Sequence, residues 1–190
     1  MSMGDTRRRF RDCLGRFATG VTVVTTEQGG GVHGATVGSF TSVSLDPPLV
    51  MVSLDRRSRI CGLMTDASSF GVNILAAHQQ DLALHFAGRP LPVHTPVSWE
   101  PDAAGPRLAD CAAHLDCVPW AAYDGGDHVL HVGRVRSFTT RDAEPLIFHG
   151  GAFHLLDTAP GHHAWAGTLD GPADGAWSST TTALHTPPGH

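Results

Sequence analysis

The run Asp55-Arg56-Arg57-Ser58-Arg59 gathers three guanidinium groups and a hydroxyl immediately ahead of an apolar repeat. If that repeat is a helix, its N-terminal N–H groups converge with them, and the turn becomes an anion site. The alternative is a solvated arginine cluster in which Ser58 only caps the helix. Thirteen histidines are present, so a histidine is informative only through its context. His128 has such a context, because it follows the turn Gly125-Gly126-Asp127 and opens the run VLHVGRV. Cys111 and Cys117, with His114 between them, are spaced more widely than usual zinc pairs and read as buried thiols. Gly29, Gly31 and Gly34 satisfy G-x-G-x-x-G, the pattern of a dinucleotide-binding turn. That turn needs a helix directly after the glycines, and Ala35 to Phe40 has no helical apolar face. A glycine-rich hairpin turn is the better reading.

The elements around these residues are mostly strands. Phe10, Cys13, Leu14 and Phe17 repeat at helical spacing, with Asp5 or Thr6 as cap and Gly20 as the stop. VTVVTT (21–26) is a β-branched strand, and residues 32–54 are β-rich with a break at Asp46-Pro47-Pro48. Ile60, Leu63, Met64 and Ala67 mark a second helix, FGVNIL (70–75) a strand, and Gln79, Leu82, Ala83 and Phe86 a short third helix. Residues 88–110 read as a long surface loop. Strands follow at 111–118, 128–138, 146–149 and 152–156. Many strands with few helices suit a β-barrel carrying its helices outside. Residues 158–190 lack periodicity and read as a tail, leaving 1–157 as the folded domain.

Three stretches, taken in order, carry a resemblance. RFATGVTVVTT (16–26) precedes GATVGSFTSVSLDPPLVMVSL (34–54), and FGVNIL follows with Gln79, Leu82 and the turn Phe86-Ala87-Gly88. Gly126-Asp127-His128 and GGAFHLL (150–156) complete the pattern. From about Phe10 to Leu156 the chain resembles the short-chain flavin reductases, and SFTSVSLDPPLV is the most specific part. The resemblance implies a mainly β, FMN-binding split β-barrel with peripheral helices. It also implies a homodimer with sites at the subunit interface, usually serving as the reductase half of a two-component monooxygenase.

The same resemblance assigns roles. It places Thr36, Val37, Gly38, Ser39, Phe40 and Thr41, with Ser53 and Leu54, beside the isoalloxazine of FMN or FAD. It makes Ser58 and Arg59 the phosphate-binding pair and adds Phe86 to the flavin site. Phe153 is a candidate for the same pocket across the dimer, although an aromatic there also suits the core. His128 matches the family histidine near the nicotinamide of NADH or NADPH. Small residues at 36–39 would let backbone N–H groups reach the ring edge and favour the charge of a reduced flavin. Two positions depart from the family pattern: Gly38 replaces a common Asn, and Ile60 a common Thr.

Composition narrows the classes. The chain has 190 residues and a formal charge of −5, and all 13 of its cationic residues are arginine. That balance offers no field for nucleic acid or an anionic membrane. Without a signal-like apolar start or a long apolar run, a cytoplasmic protein with reduced thiols is expected. Besides NAD(P)H:flavin oxidoreductase, two further functions fit the residues. One is a flavin carrier without turnover; the other is a flavin enzyme redirected to an organic substrate.

Overall fold

The computed structural model describes residues 3–92, 96–100 and 106–156. The expected tail, 158–190, lies outside the described residues, as do His162, His163, Trp165 and Trp177 within it. In chain order the elements are α1 (Met3–Leu14), β1 (Thr19–Gly20), β2 (Thr22–Gln28), β3 (Gly31–Val37), β4 (Thr41–Leu45) and β5 (Pro48–Asp55). Then come α2 (Arg59–Asp66), β6 (Phe70–Ile74), α3 (Gln80–Phe86), β7 (Trp99–Glu100) and β8 (Arg107–Leu108). The last are β9 (Ala113–Gly125), β10 (His128–Thr140), β11 (Ile147–His149) and β12 (Ala152–His154).

The central sheet has seven strands in the order β3-β2-β6-β9-β10-β5-β4, and every pairing within it is antiparallel. β2 and β3 form a hairpin whose turn residues Gly29 and Gly30 have φ of 63° and 74°. Glycine reaches that left-handed region without steric cost, so the G-x-G-x-x-G pattern is spent on a turn. β3, at one end of the sheet, approaches β5, next to the β4 end, without pairing and leaves a barrel that is split along one seam. Ser39 bridges the seam: its Oγ donates to the Ser53 carbonyl at 2.9 Å and accepts from the Ser53 N–H at 3.0 Å.

Two apolar clusters fill the interior. The first joins Val24, Val52, Leu54, Phe70 and Val72 to the inner face of α2, which contributes Ile60, Cys61 and Met64. Fully burying a side chain the size of Ile or Met stabilises by about 1.5–3 kcal/mol, so this face fixes α2 on the sheet. Gly133 makes room for Phe70, since a Cβ there would come within 2.3 Å of the ring. The second cluster joins Val21, Val23, Leu75, Leu108 and Leu146 to Ala83 of α3. Cys111 and Cys117 are buried, and burial pushes both thiols up to about 12.

Between the clusters lies a buried polar group. The Asn73 amide donates to the Val23 carbonyl at 2.9 Å and to Thr25 Oγ1 at 3.1 Å, while its Oδ1 accepts the Leu108 N–H at 2.9 Å. Oδ1 also faces His114 Nδ1 at 2.9 Å, and His114 Nε2 lies 2.9 Å from Asp116 Oδ1. With an acceptor at each ring nitrogen, one proton is held between His114 and Asp116. Burial raises the Asp116 carboxyl, but bonds from Ser137 and His114, with Arg107 nearby, bring it below its ordinary value.

The structure departs from expectation in three places. α1 ends at Leu14 rather than near Gly20, and Phe10, Leu14 and Phe17 remain 63%, 57% and 77% exposed. The amphipathic stripe is real, but nothing in the described chain covers it. Residues 88–110 are not all loop: β7 and β8 pair, and Leu108 is buried against Asn73. β9 continues through Pro119 to Gly125, because a bulge at Trp120 accommodates the proline within the ladder. Among the described residues no helix is long and apolar enough to cross a membrane.

Candidate functional site

The seam is where unpaired backbone collects. β3 is the terminal strand of the sheet, so alternate N–H and C=O groups along it have no ladder partner. β4 pairs with β5 only from Pro48 to Met51, which leaves Ser53, Leu54 and Asp55 paired on the β10 side alone. Between these edges lies a cleft of about 360 Å³ lined by Ala35 to Ser39, Ser53 to Asp55, Ser58 and His128. Its volume falls in the range of small-ligand and cofactor sites. The lining side chains are mostly small, so a flat ring can lie against backbone.

Several hydroxyls here are already engaged. Thr36 Oγ1 donates to the Ala83 carbonyl at 2.7 Å and ties β3 to α3, and the Ser39 hydroxyl closes the seam. Thr36 and Ser39 therefore offer a ligand their backbone rather than their side chains. Gly38 packs against Thr19: a Cβ at 38 would meet Thr19 Oγ1 at 2.9 Å. An asparagine at that position would require the Thr19 side chain to turn aside.

At one end of the cleft the turn after β5 leads into α2. Ser58 is its N-cap, accepting the Cys61 N–H at 3.3 Å and donating to the Asp55 carbonyl at 2.7 Å. Arg57 bonds both oxygens of Asp55, at 3.1 and 2.7 Å, and holds that carboxyl well below the usual carboxylate range. Arg56 is engaged with Asp124 and the Gly126 carbonyl. Arg59 is exposed and has no ion-pair partner among the described residues. Of the arginines in the turn, it is the one left to meet an anion at the α2 N-terminus. Ile60 points the other way, 3% exposed within the first cluster, so the departure from Thr is absorbed as packing.

At the other end stands His128, the first residue of β10 and the register partner of Asp55. Its side chain is half-exposed, and Nδ1 lies 2.7 Å from Asp127 Oδ1. That bond holds the Asp127 carboxyl below its ordinary value and fixes the ring orientation. Nε2 has no partner among the described residues.

The expected residues thus divide. Thr36, Val37, Gly38, Ser39, Ser53, Leu54, Ser58 and His128 come together on one cleft, with Arg59 beside it at the head of α2. Phe40 packs on the first cluster, and Thr41 is exposed on β4. Phe86 lies against Gly34 and edge-on to Trp99, with centroids 6.3 Å apart, in the second cluster. Phe153 is in that cluster too, 5.4 Å from Phe148, away from the seam of its own chain. The engagement of Asp55 and Asp127 was not anticipated; the adjacent pair Asp127-His128 was its only trace in the sequence.

Comparison with known proteins bears on this geometry. Residues 14–157 match the family described as the flavin reductase like domain. An NADH-dependent flavin reductase from a Rhodococcus species is 41% identical over 166 residues, covering 82% of this chain and 90% of that one. The reductase subunit of a flavin-dependent monooxygenase from Rhodococcus jostii is 38% identical over 148 residues, covering 77% and 76%. Among solved structures, a homologue of nitrilotriacetate monooxygenase component B from Mycobacterium thermoresistibile superposes with a TM-score of 0.80 at 33% identity. It covers 86% of this chain and 94% of its own.

Proposed function

The chain belongs to the flavin reductase-like family, and on that premise we propose that it reduces FMN or FAD with hydride from NADH at the β3–β5 seam. The observation that carries the assignment is the meeting of open backbone edges, an unengaged Arg59 and His128 around one cleft. The residues present fit a flavin, because small side chains expose backbone on a flat cleft whose α2 end is cationic. When bound, the flavin supplies the hydride-accepting chemistry, and the protein supplies position and field. The seam backbone of residues 36–39 holds the ring edge, where N–H dipoles favour the negative charge gained on reduction, and Ser53 and Leu54 wall the opposite side of the cleft. Arg59 and the α2 N-terminus hold the phosphate. His128, oriented by Asp127, bounds the face on which the nicotinamide is received. Alignment of two stacked rings, rather than a strong acid or base, governs the rate.

Reduced flavin leaves for an oxygenase, as the likeness to a monooxygenase reductase subunit suggests. The enzyme is a homodimer in this reading. Val43, Leu45, Trp120, Tyr123 and Phe138 are all exposed on the β4–β5–β10–β9 side and form a surface for a second copy. Sedimentation at micromolar concentration should give twice the chain mass, and an active monomer would contradict it. The four free cysteines accord with a cytoplasmic setting.

NADH oxidation measured with and without added FMN tests the assignment. A flavin reductase is strongly stimulated by free FMN. A carrier shows no turnover, and an enzyme redirected to an organic substrate shows little stimulation.

A further inference from the structure

Past the seam lies a wider recess of about 860 Å³. Ser53, Asp55 and His128 line both spaces, so the two adjoin. The opposite wall of the recess is α1, through Arg7, Phe10, Arg11 and Leu14. These positions are spaced i, i+3, i+4 and i+7, which puts them on one helical face about 10 Å long.

That face has an unusual composition for an exposed stripe. Phe10 and Leu14 are 63% and 57% exposed, and no element of the described chain covers them. Arg7 and Arg11 have no ion-pair partner among the described residues, whereas Arg56 and Arg57 are both bonded to carboxylates. Two unengaged guanidinium groups beside an aromatic ring suit a ligand that joins a polyanion to a flat apolar body. The recess is also polarised. Asp127 stands at its His128 end and the free arginines stand at its α1 end, so a polyanion is driven towards α1.

We propose that this face of α1 is a binding subsite for an adenosine diphosphate moiety, with Arg7 and Arg11 on the diphosphate and Phe10 against the adenine. The inference rests on the flavin reductase reading, in which two participants carry that moiety: the nicotinamide dinucleotide and FAD. A molecule whose ring end reaches His128 and whose diphosphate lies along α1 occupies both spaces at once.

The direct test is calorimetric titration of the full chain with ADP-ribose, comparing wild type with the double variant Arg7→Ala/Arg11→Ala. Loss of two charge-assisted contacts should weaken ADP-ribose binding by about ten-fold or more. FMN, which lacks the moiety, serves as the folding control and should bind the double variant as it binds wild type. Two further arms identify the source. A raised KM for NADH with FMN as acceptor assigns the subsite to the hydride donor. A selective loss of FAD affinity over FMN affinity assigns it to the acceptor. Equal ADP-ribose affinity in both proteins overturns the proposal, as does its absence from wild type at millimolar concentration. If the double variant instead shifts the sedimentation of the protein and leaves ADP-ribose binding unchanged, the stripe is covered by a second copy and the subsite is refuted. Failure of the parent reading looks different: wild type would then show no NADH:FMN turnover, whatever ADP-ribose does.

Discussion

Replacing Arg59 and Ser58 separately distinguishes phosphate binding from helix capping, because the two side chains stand differently in the turn. The Arg59 guanidinium is exposed and has no ion-pair partner among the described residues, so Arg59→Ala removes no contact that holds α2 in place. Its stability should stay within about 0.5 kcal/mol of wild type. A charge-assisted bond to phosphate is worth about 1.5–3 kcal/mol, which corresponds to a ten- to hundred-fold loss of FMN affinity. Ser58 carries two bonds within the protein, to the Asp55 carbonyl and the Cys61 N–H. Ser58→Ala should therefore lower stability by about 1 kcal/mol, the usual cost of a lost N-cap, in addition to any loss of affinity. Fluorescence titration with FMN and with riboflavin, alongside thermal melts, separates these effects. Arg59→Ala should weaken FMN alone, since riboflavin lacks the phosphate. An equal loss for riboflavin, or unchanged FMN affinity, would refute the assignment of the phosphate to this turn.

Asp116→Asn should destabilise by about 3–5 kcal/mol at neutral pH, because it removes the buried carboxylate that pairs with Arg107 and that His114 and Ser137 hydrogen-bond. The folded carboxyl lies below its unfolded value, so this contribution is complete above the unfolded pKa and is lost as pH falls through the folded one. The gap between the denaturant melts of the two proteins should begin to narrow only as pH falls below about 4; a gap that widens there, or that narrows already between about pH 7 and 5, would contradict the sign. Removal of 158–190 is expected to leave a folded, FMN-binding protein, and loss of soluble material on truncation would count against it.

Local chemistry was the legible part of the sequence. The β-branched run before Gly29, the break at Asp46-Pro47-Pro48, the Ser58 cap and the turn before His128 each declare themselves within a few residues. The block from Gly34 to Leu54 identified the family and most of the cleft lining. What stayed hidden depends on long-range placement. That Ser39 bonds Ser53 across an unclosed sheet follows from strand order, which no local pattern encodes. Phe86 and Phe153 read as pocket residues, yet an aromatic at a strand or helix end is equally suited to a core, and both pack there. Asn73, His114 and Asp116 sit on β6 and β9 and are 41 residues apart at the widest bond, so their network had no motif. The stripe on α1 was visible as periodicity, but periodicity does not say what covers it.

Anaerobic stopped-flow reduction of bound FMN by NADH, in wild type and in His128→Ala, tests the central claim most directly, because a single turnover excludes product release. Wild type should lose its oxidised-flavin absorbance in one NADH-dependent phase. In His128→Ala that phase should slow by about ten- to a thousand-fold while FMN affinity stays nearly intact, the signature of a positioning residue on the nicotinamide side. Equal rates would leave His128 a strand-end residue, and a wild-type flavin that NADH does not reduce would contradict the account as a whole.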